Sequence, residues 1–392
     1  MTASPLGVTA PAGFRAAGVA AGLKASGKPD LALVVNDGPL RHAAAVFTSN
    51  RVAAAPVHWS RQAVSDGRAD AVVLNSGGAN ACTGALGFQN THATAEHVAQ
   101  VLGVSSGDVL VCSTGLIGEQ LPMDKLLPGV DAAAAQLGTG SGFDGGSAAA
   151  AAIMTTDTVS KQSGFAGTGY SIGGMAKGAG MLAPGLATML VVLTTDAVVE
   201  PAALEAALRG ATRVSFDRAD SDGCMSTNDT VILLASGASG AVPDPDEFAA
   251  GLTTVCTDLA LQLIRDAEGA SHDITIRTFN AASEADAEEV GRAVARSNLF
   301  KTAIFGQDPN WGRVLSAVGT TKAAFEPENL NVWMNGVQVC RSGGVGEDRS
   351  LVDLSGREVL VEIDLAAGGA EASIWTNDLT HDYVHENSAY SS

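Results

Sequence analysis

Basic residues are scarce. Lys and Arg total 23 against 42 Asp and Glu in 392 residues, a net charge of -19. A surface of that sign repels nucleic acid and anionic membrane, so neither is an expected partner, and a small substrate is. If that substrate carries carboxylates, the few cations must gather where it binds. Cysteine is scarce too. The five (Cys82, Cys112, Cys224, Cys256 and Cys340) are odd in number, widely spaced and without a C-x-x-C. That argues against a disulfide framework and fits reduced thiols in a cytoplasmic protein. Long apolar runs are missing as well. The charge-free segment 178–195 is broken by glycines and Pro184 and falls short of the roughly 20 residues of a membrane helix. Residues 1–24 lack the charged head and apolar block of a signal peptide. No internal repeat is present.

What the chain does hold is short apolar runs between small polar loops. Ala71–Leu74 and Asp108–Cys112 have the pattern of buried strands, and each runs into a loop, Asn75–Asn80 and Ser113–Gly115. Strand ends of that kind are where open α/β proteins place ligands. Helices are expected over 91–102, from a cap at Ser147 through Ile153, over 201–212, over 248–267, and from a cap at Ser283 through Ala295. Val231–Leu234 has the pattern of a further strand. Near the C-terminus Val359, Val361, Ile363 and Leu365 alternate with Glu362 and Asp364, and a turn at 366–369 leads to a strand over 372–376. The size allows two or three domains, and the pattern is α/β.

Several segments carry candidate chemistry. Lys177-Gly178-Ala179-Gly180-Met181 leads through Pro184 to Thr188, and an apolar run from Met189 to Leu193 follows. A chain that cuts itself before a threonine has this layout. The new terminal α-amine, with a pKa of about 7.7–8.0, then serves as base for the hydroxyl beside it. A buried strand that happens to contain a threonine has the same spacing, and the segment alone leaves both readings open. Thr114 and Gly115 offer a hydroxyl and a backbone N–H at a strand end, and two such donors can hold an oxyanion. An ordinary strand-to-helix turn has the same make-up. Glu268 sits where the long helix closes, so its carboxylate opposes the helix dipole. That placement suits either a cation partner or a solvated surface.

Three other patterns are set aside. Gly140-x-Gly142-x-x-Gly145 follows an Ala-rich helical stretch and not a strand, so it lacks the context of a dinucleotide cradle. His381-x-x-x-His385-Glu386 has no third ligand nearby, so no metal site is expected. Asn310–Arg313 is a compact polar turn of structural character.

Taken together, the blocks resemble the glutamate N-acetyltransferase / ornithine acetyltransferase family of arginine biosynthesis. The resemblance rests on Asn75–Asn80, Ser113–Gly118, Ile153–Asp157, Lys177–Met181 with Ala187–Leu190, Ser226–Thr230, Asp266–Gly269, Lys301–Ala303, Asp308–Arg313 and Glu386–Ser392. It covers the chain nearly end to end. It implies two-layer α/β domains resembling N-terminal-nucleophile hydrolases. It implies self-cleavage between Ala187 and Thr188 into an α chain (1–187) and a β chain (188–392), the latter with a C-terminal α/β subdomain from about 280. The two chains would assemble as an α2β2 heterotetramer. The implied activity is transfer of acetyl from N2-acetyl-L-ornithine to L-glutamate by ping-pong chemistry, with acetyl-CoA as a further donor in some relatives. Thr188 would be the nucleophile, Thr114 and Gly115 the oxyanion donors, and Thr155, Lys177, Thr188, Glu268, Asn387 and Ser392 the substrate contacts. No cofactor and no metal are implied. A self-processed amidohydrolase or aminopeptidase, or an acetyltransferase of an antibiotic pathway, would share the nucleophile. One departure from the family lies near the site: Ser271-His272 stands where Thr-Lys is usual.

Overall fold

Every side chain of Leu190–Thr195 is buried. A strand covered on both faces belongs in the middle of a sheet with a layer on either side. The computed structural model, which describes residues 7–138, 144–181 and 189–389, places it there.

The chain begins β1 (Phe14–Val19), β2 (Leu31–Asn36), β3 (His42–Phe47), α1 (Ala55–Ala63), β4 (Ala71–Asn75), α2 (Gly84–Leu102) and β5 (Val109–Ser113). It continues α3 (Met123–Gln136), α4 (Gly145–Ala152), β6 (Lys161–Ala166), β7 (Ser171–Lys177), β8 (Leu190–Thr195), α5 (Pro201–Arg213), β9 (Thr230–Ala235) and α6 (Pro245–Arg265). The last part holds β10 (Asp273–Ala281), α7 (Glu284–Ala295), α8 (Asn298–Phe305), α9 (Trp311–Val318), β11 (Asn331–Met334) and β12 (Val337–Arg341). It ends with β13 (Gly344–Val345), β14 (Glu358–Asp364), β15 (Ala370–Asn377) and α10 (His381–Ala389).

Three sheets result, ordered β1-β2-β4-β5, β3-β9-β8-β7-β6 and β13-β12-β11-β14-β10-β15. The first two stack face to face. Val34, Val72, Leu74 and Leu110 of one meet Met175, Leu190, Val192 and Ile232 of the other. The alternate residues of β8, Val191 and Leu193, point the opposite way, toward Leu204, Leu208, Val255 and Leu259 of α5 and α6. Side-chain period 2 thus gives β8 two apolar neighbours. On the outer side of the first sheet, Leu33, Val73 and Val111 face Val98, Leu126 and Val130 of α2 and α3. Each sheet with its helices is a two-layer α/β unit. The third sheet forms a separate core with α7, α8 and α9.

Several element ends differ from the sequence expectation. The helix expected from residue 91 starts at Gly84. Its glycines disguise a first turn: a Cβ on Gly87 would lie 1.8 Å from Thr83 Oγ1, so only glycine fits there. α4 is capped by Asp144 and not by Ser147, because Asp144 Oδ1 accepts the Ser147 N–H at 3.0 Å. α6 starts at Pro245, since Asp244 accepts from both Asp246 and Glu247 N–H. It stops at Arg265, where Asp266 turns toward Lys161. Among the described residues α6 is the one helix long and apolar enough to span a membrane by length and composition, yet it buries Leu252, Val255, Leu259 and Leu263 in the protein core. Burying each such side chain contributes roughly 1.5–3 kcal/mol.

Candidate active site

β7 and β8 are antiparallel neighbours, and Lys177 pairs with Leu190 at their shared end. On the other side Leu190 pairs with Thr230 of β9. Met189 is held by the start of β9. Its N–H donates to Asp229 Oδ1 at 3.0 Å, and its carbonyl accepts the Thr230 N–H at 3.1 Å. The residue before Met189 is Thr188, which lies outside the described residues, as do Ala187 and Ser392.

Thr114 and Gly115 follow β5 and reach the same place. Lys177 Nζ donates to Thr114 Oγ1 at 3.4 Å. An ammonium only donates, so Thr114 accepts there and its own hydroxyl proton points elsewhere. The backbone around Gly115 is tied down: Thr114 N–H donates to Asn75 O and Ala79 N–H to Leu116 O. The Gly115 N–H takes no partner among the described residues. Gly115 has φ +132°, and a Cβ there would sit 2.8 Å from Gly78 N. Asn228 fastens this loop to β9, donating from Nδ2 to Ala79 O at 2.6 Å and to Ser113 O at 2.8 Å. The Thr114 hydroxyl and the Gly115 N–H therefore lie near the start of β8, and two such groups can in principle hold a developing oxyanion.

Behind the donors runs a buried chain of charge. Lys177 and Lys161 are both fully buried. Asp157 Oδ1 accepts from Lys161 Nζ at 2.7 Å and from Gly178 N–H at 2.7 Å, and Oδ2 accepts from Thr155 N–H at 2.9 Å. Lys161 also meets Asp266 at 2.6 Å. Burial pushes the Asp157 carboxyl up, but Lys177, Lys161 and these hydrogen bonds outweigh it and hold it below its usual range. Burial lowers the Lys177 ammonium, and Asp157 partly restores it. Burial pushes the Asp229 carboxyl well above the usual range, while the Met189 N–H and Lys177 oppose that shift.

Glu268 lies three residues beyond α6. Its Oε1 accepts from Thr156 Oγ1 at 2.7 Å and its Oε2 from Asn387 Nδ2 of α10 at 3.0 Å. A Cβ on Gly180 would lie 2.7 Å from this carboxylate, so the glycine lets the backbone after β7 rest against Glu268. Cavities of about 280 and 60 Å³ flank Glu268. Larger ones, about 490 Å³ beside β3 and about 650 Å³ between α6 and the third sheet, lie away from these residues.

Of the residues expected from sequence, Thr114, Gly115, Thr155, Lys177, Glu268 and Asn387 are described: Lys177 meets Thr114, Thr155 meets Asp157, and Glu268 meets Thr156 and Asn387. Sequence reasoning missed the connectors Asp157, Lys161 and Asp266, the loop staple Asn228 and the buried acid Asp229. Asp157, Asn228, Asp229 and Asp266 stand inside the matched blocks, and a charged or amide side chain in an apolar setting was the available signal. His272, at the family departure, is turned to Asp378 at 2.7 Å and to Leu354 O at 3.2 Å.

A buried lysine beside a strand-end hydroxyl, with cavities against Glu268 nearby, is thus set among the stacked layers of an α/β protein. The chain belongs to the ArgJ family, whose model matches residues 15–392. It is 68% identical to the arginine biosynthesis bifunctional protein ArgJ of Streptomyces coelicolor, over 99% of this chain and 100% of that one. Identity to the ArgJ protein of Streptomyces avermitilis is 66%, over 99% and 100%. Among solved structures, ornithine acetyltransferase from Mycobacterium tuberculosis complexed with ornithine is 54% identical, covering 47% of this chain and 99% of that chain, with a TM-score of 0.42.

Proposed function

We propose that this ArgJ-family enzyme carries acetyl from N2-acetyl-L-ornithine to L-glutamate through an acetyl ester on Thr188. The observation that carries the reading is the meeting of Lys177, Thr114 and the Gly115 N–H at the end of β8 from which residue 188 extends.

In the precursor the Thr188 hydroxyl attacks the carbonyl carbon of Ala187. Thr114 and Gly115 hold the resulting oxyanion, the C–N bond breaks, and its nitrogen takes the hydroxyl proton. Water hydrolyses the ester between Ala187 and Thr188, leaving a terminal amine on Thr188. That amine then accepts the proton of its own hydroxyl as the oxygen attacks the acetyl carbonyl of N2-acetylornithine. The proton passes to the departing ornithine amine. Glutamate follows, its amine attacks the acetyl ester, and the Thr188 hydroxyl is restored. One amide is exchanged for one ester in each half, so no nucleotide and no cofactor is required. Glu268, Asn387, Thr155 and Ser392 contact the substrate with Lys177. The α and β chains stay together in an α2β2 assembly in the cytoplasm. Acetyl-CoA, entering by the same ester, would supply the second activity of a bifunctional enzyme.

The test is isotope exchange. Labelled ornithine should enter N2-acetylornithine without glutamate present, because the first half-reaction stands alone. Exchange that requires glutamate, or acetate released at the same rate without an acceptor, would contradict the reading.

A further inference from the structure

The two substrates differ at the far end of the side chain. Ornithine carries an ammonium there and glutamate a carboxylate. Glu268 suits the ammonium and repels the carboxylate, so a site that turns over both needs a cation within reach of the same cavity. We infer that Lys301 is that cation: it receives the side-chain carboxylate of the acceptor and sets the enzyme's preference for glutamate. The assignment rests on the acetyl-transfer reading above and deepens it.

Lys301 lies on α8 and lines the cavity of about 60 Å³ that Glu268, Asp222 and Tyr383 also line. That volume suits a terminal group and not a whole amino acid. The lysine is buried, with 6% of its surface exposed. Its Nζ donates to two neutral acceptors, Ser221 O and, at 3.4 Å, Thr376 Oγ1. An ammonium has three donors, so one remains for a ligand.

The carboxylates nearest to Lys301 are each engaged by other groups. Asp222 accepts from Met181 N–H at 2.7 Å and Cys224 N–H at 3.1 Å. Asp220 pairs with Arg296 Nε at 2.8 Å. Asp378 accepts from Ser271 N–H and His272 N–H, both at 2.9 Å, and meets His272 Nδ1 at 2.7 Å. These acids favour the charged lysine at a distance, while burial pushes its pKa down to about 8. A buried ammonium without a directly bonded carboxylate gains most from a ligand that brings one.

The other cations near Glu268 are poorer candidates. Arg265 and Arg357 line the cavity of about 280 Å³, but Arg357 is bonded to Asp273 at 3.1 Å and Arg265 lies 3.9 Å from the same carboxylate. Lys177 donates to Thr114 at the start of β8, so its contact with substrate falls at the reacting end and not at the end of the side chain.

The experiment separates the half-reactions of the mature, self-cleaved enzyme. Ornithine released in the burst from N2-acetylornithine counts acetyl-enzyme. Decay of that acetyl-enzyme is then followed with glutamate or glutamine, which differ only in the charge of the end group. The wild type should prefer glutamate. Lys301→Met should keep the burst and raise the KM for glutamate by roughly ten- to hundredfold, the range of one charge-assisted hydrogen bond, with glutamine unchanged. Lys301→Arg should recover part of the preference. A wild type that accepts glutamine as readily as glutamate overturns the assignment without any variant. So does an unaltered glutamate preference in Lys301→Met. An acetyl-enzyme burst that never forms in the wild type overturns the acetyl-transfer reading beneath it.

Discussion

Replacing one carboxylate should weaken the fold around the site. Asp157 is the counter-charge shared by two fully buried lysines, Lys161 and Lys177. In Asp157→Asn, Lys161 keeps Asp266 at 2.6 Å, but Lys177 loses its principal opposite charge. Removing one partner of a buried ion pair costs about 3–5 kcal/mol. The amide still offers one oxygen to Gly178 or to Thr155, so the lower half of that range is expected. Denaturant unfolding would measure it best on the Thr188→Ala background, where one uncut chain keeps the reaction unimolecular. The pH dependence carries a sign. An acid held below its usual pKa in the folded state stabilises fully above its unfolded value of about 3.9, and loses that stability as pH falls toward the folded value. The difference between parent and Asp157→Asn should therefore be constant from neutral pH down to about 5. Below about 4 it should shrink by roughly 1.4 kcal/mol per pH unit. A variant within about 1 kcal/mol of the parent at neutral pH would refute the reasoning, as would a difference that persists unchanged in acid.

The proposed oxyanion donors give two further expectations. Thr114→Val removes the hydroxyl that Lys177 orients, and kcat for acetyl transfer should fall by roughly 10²–10³ with little change in KM, read from steady-state kinetics on chain already cleaved. Gly115→Ala places a Cβ 2.8 Å from Gly78 N at φ +132°, so its thermal midpoint and its transfer rate should both drop, by about 1–3 kcal/mol in stability.

Only part of the strands was legible, where burial or period writes itself into composition; β1–β3, β6, β7 and β10–β13 were not read from sequence. β4, β8 and β9 are apolar runs with no room for a polar side, and such runs admit few other placements. The start of α2 was not legible, because glycines at 84 and 87 look like loop until Thr83 and Asn80 are seen packed against them. Single side chains decided the helix ends: Asp144 in place of Ser147, and Asp244 ahead of Phe248. At the site, the strand end offered Thr114 and Gly115 as candidates but left an ordinary turn equally open, and only the family resemblance implied a role for them. The links among Asp157, Lys161 and Asp266 were hidden. Asp266 is more than a hundred residues from Lys161 in the chain, and only packing of α6 on β6 brings them together. Lys301 joined the same cavity as Glu268 through the contact of α8 with the loop before β9, which no linear pattern records.

The most direct measurement is the mass of the mature protein before and after exposure to N2-acetylornithine. The account predicts two fragments, the second beginning at Thr188, and one added acetyl group on that terminal threonine which glutamate then removes. Acetyl transfer by an uncut chain, or acetyl found on any other residue, would contradict it.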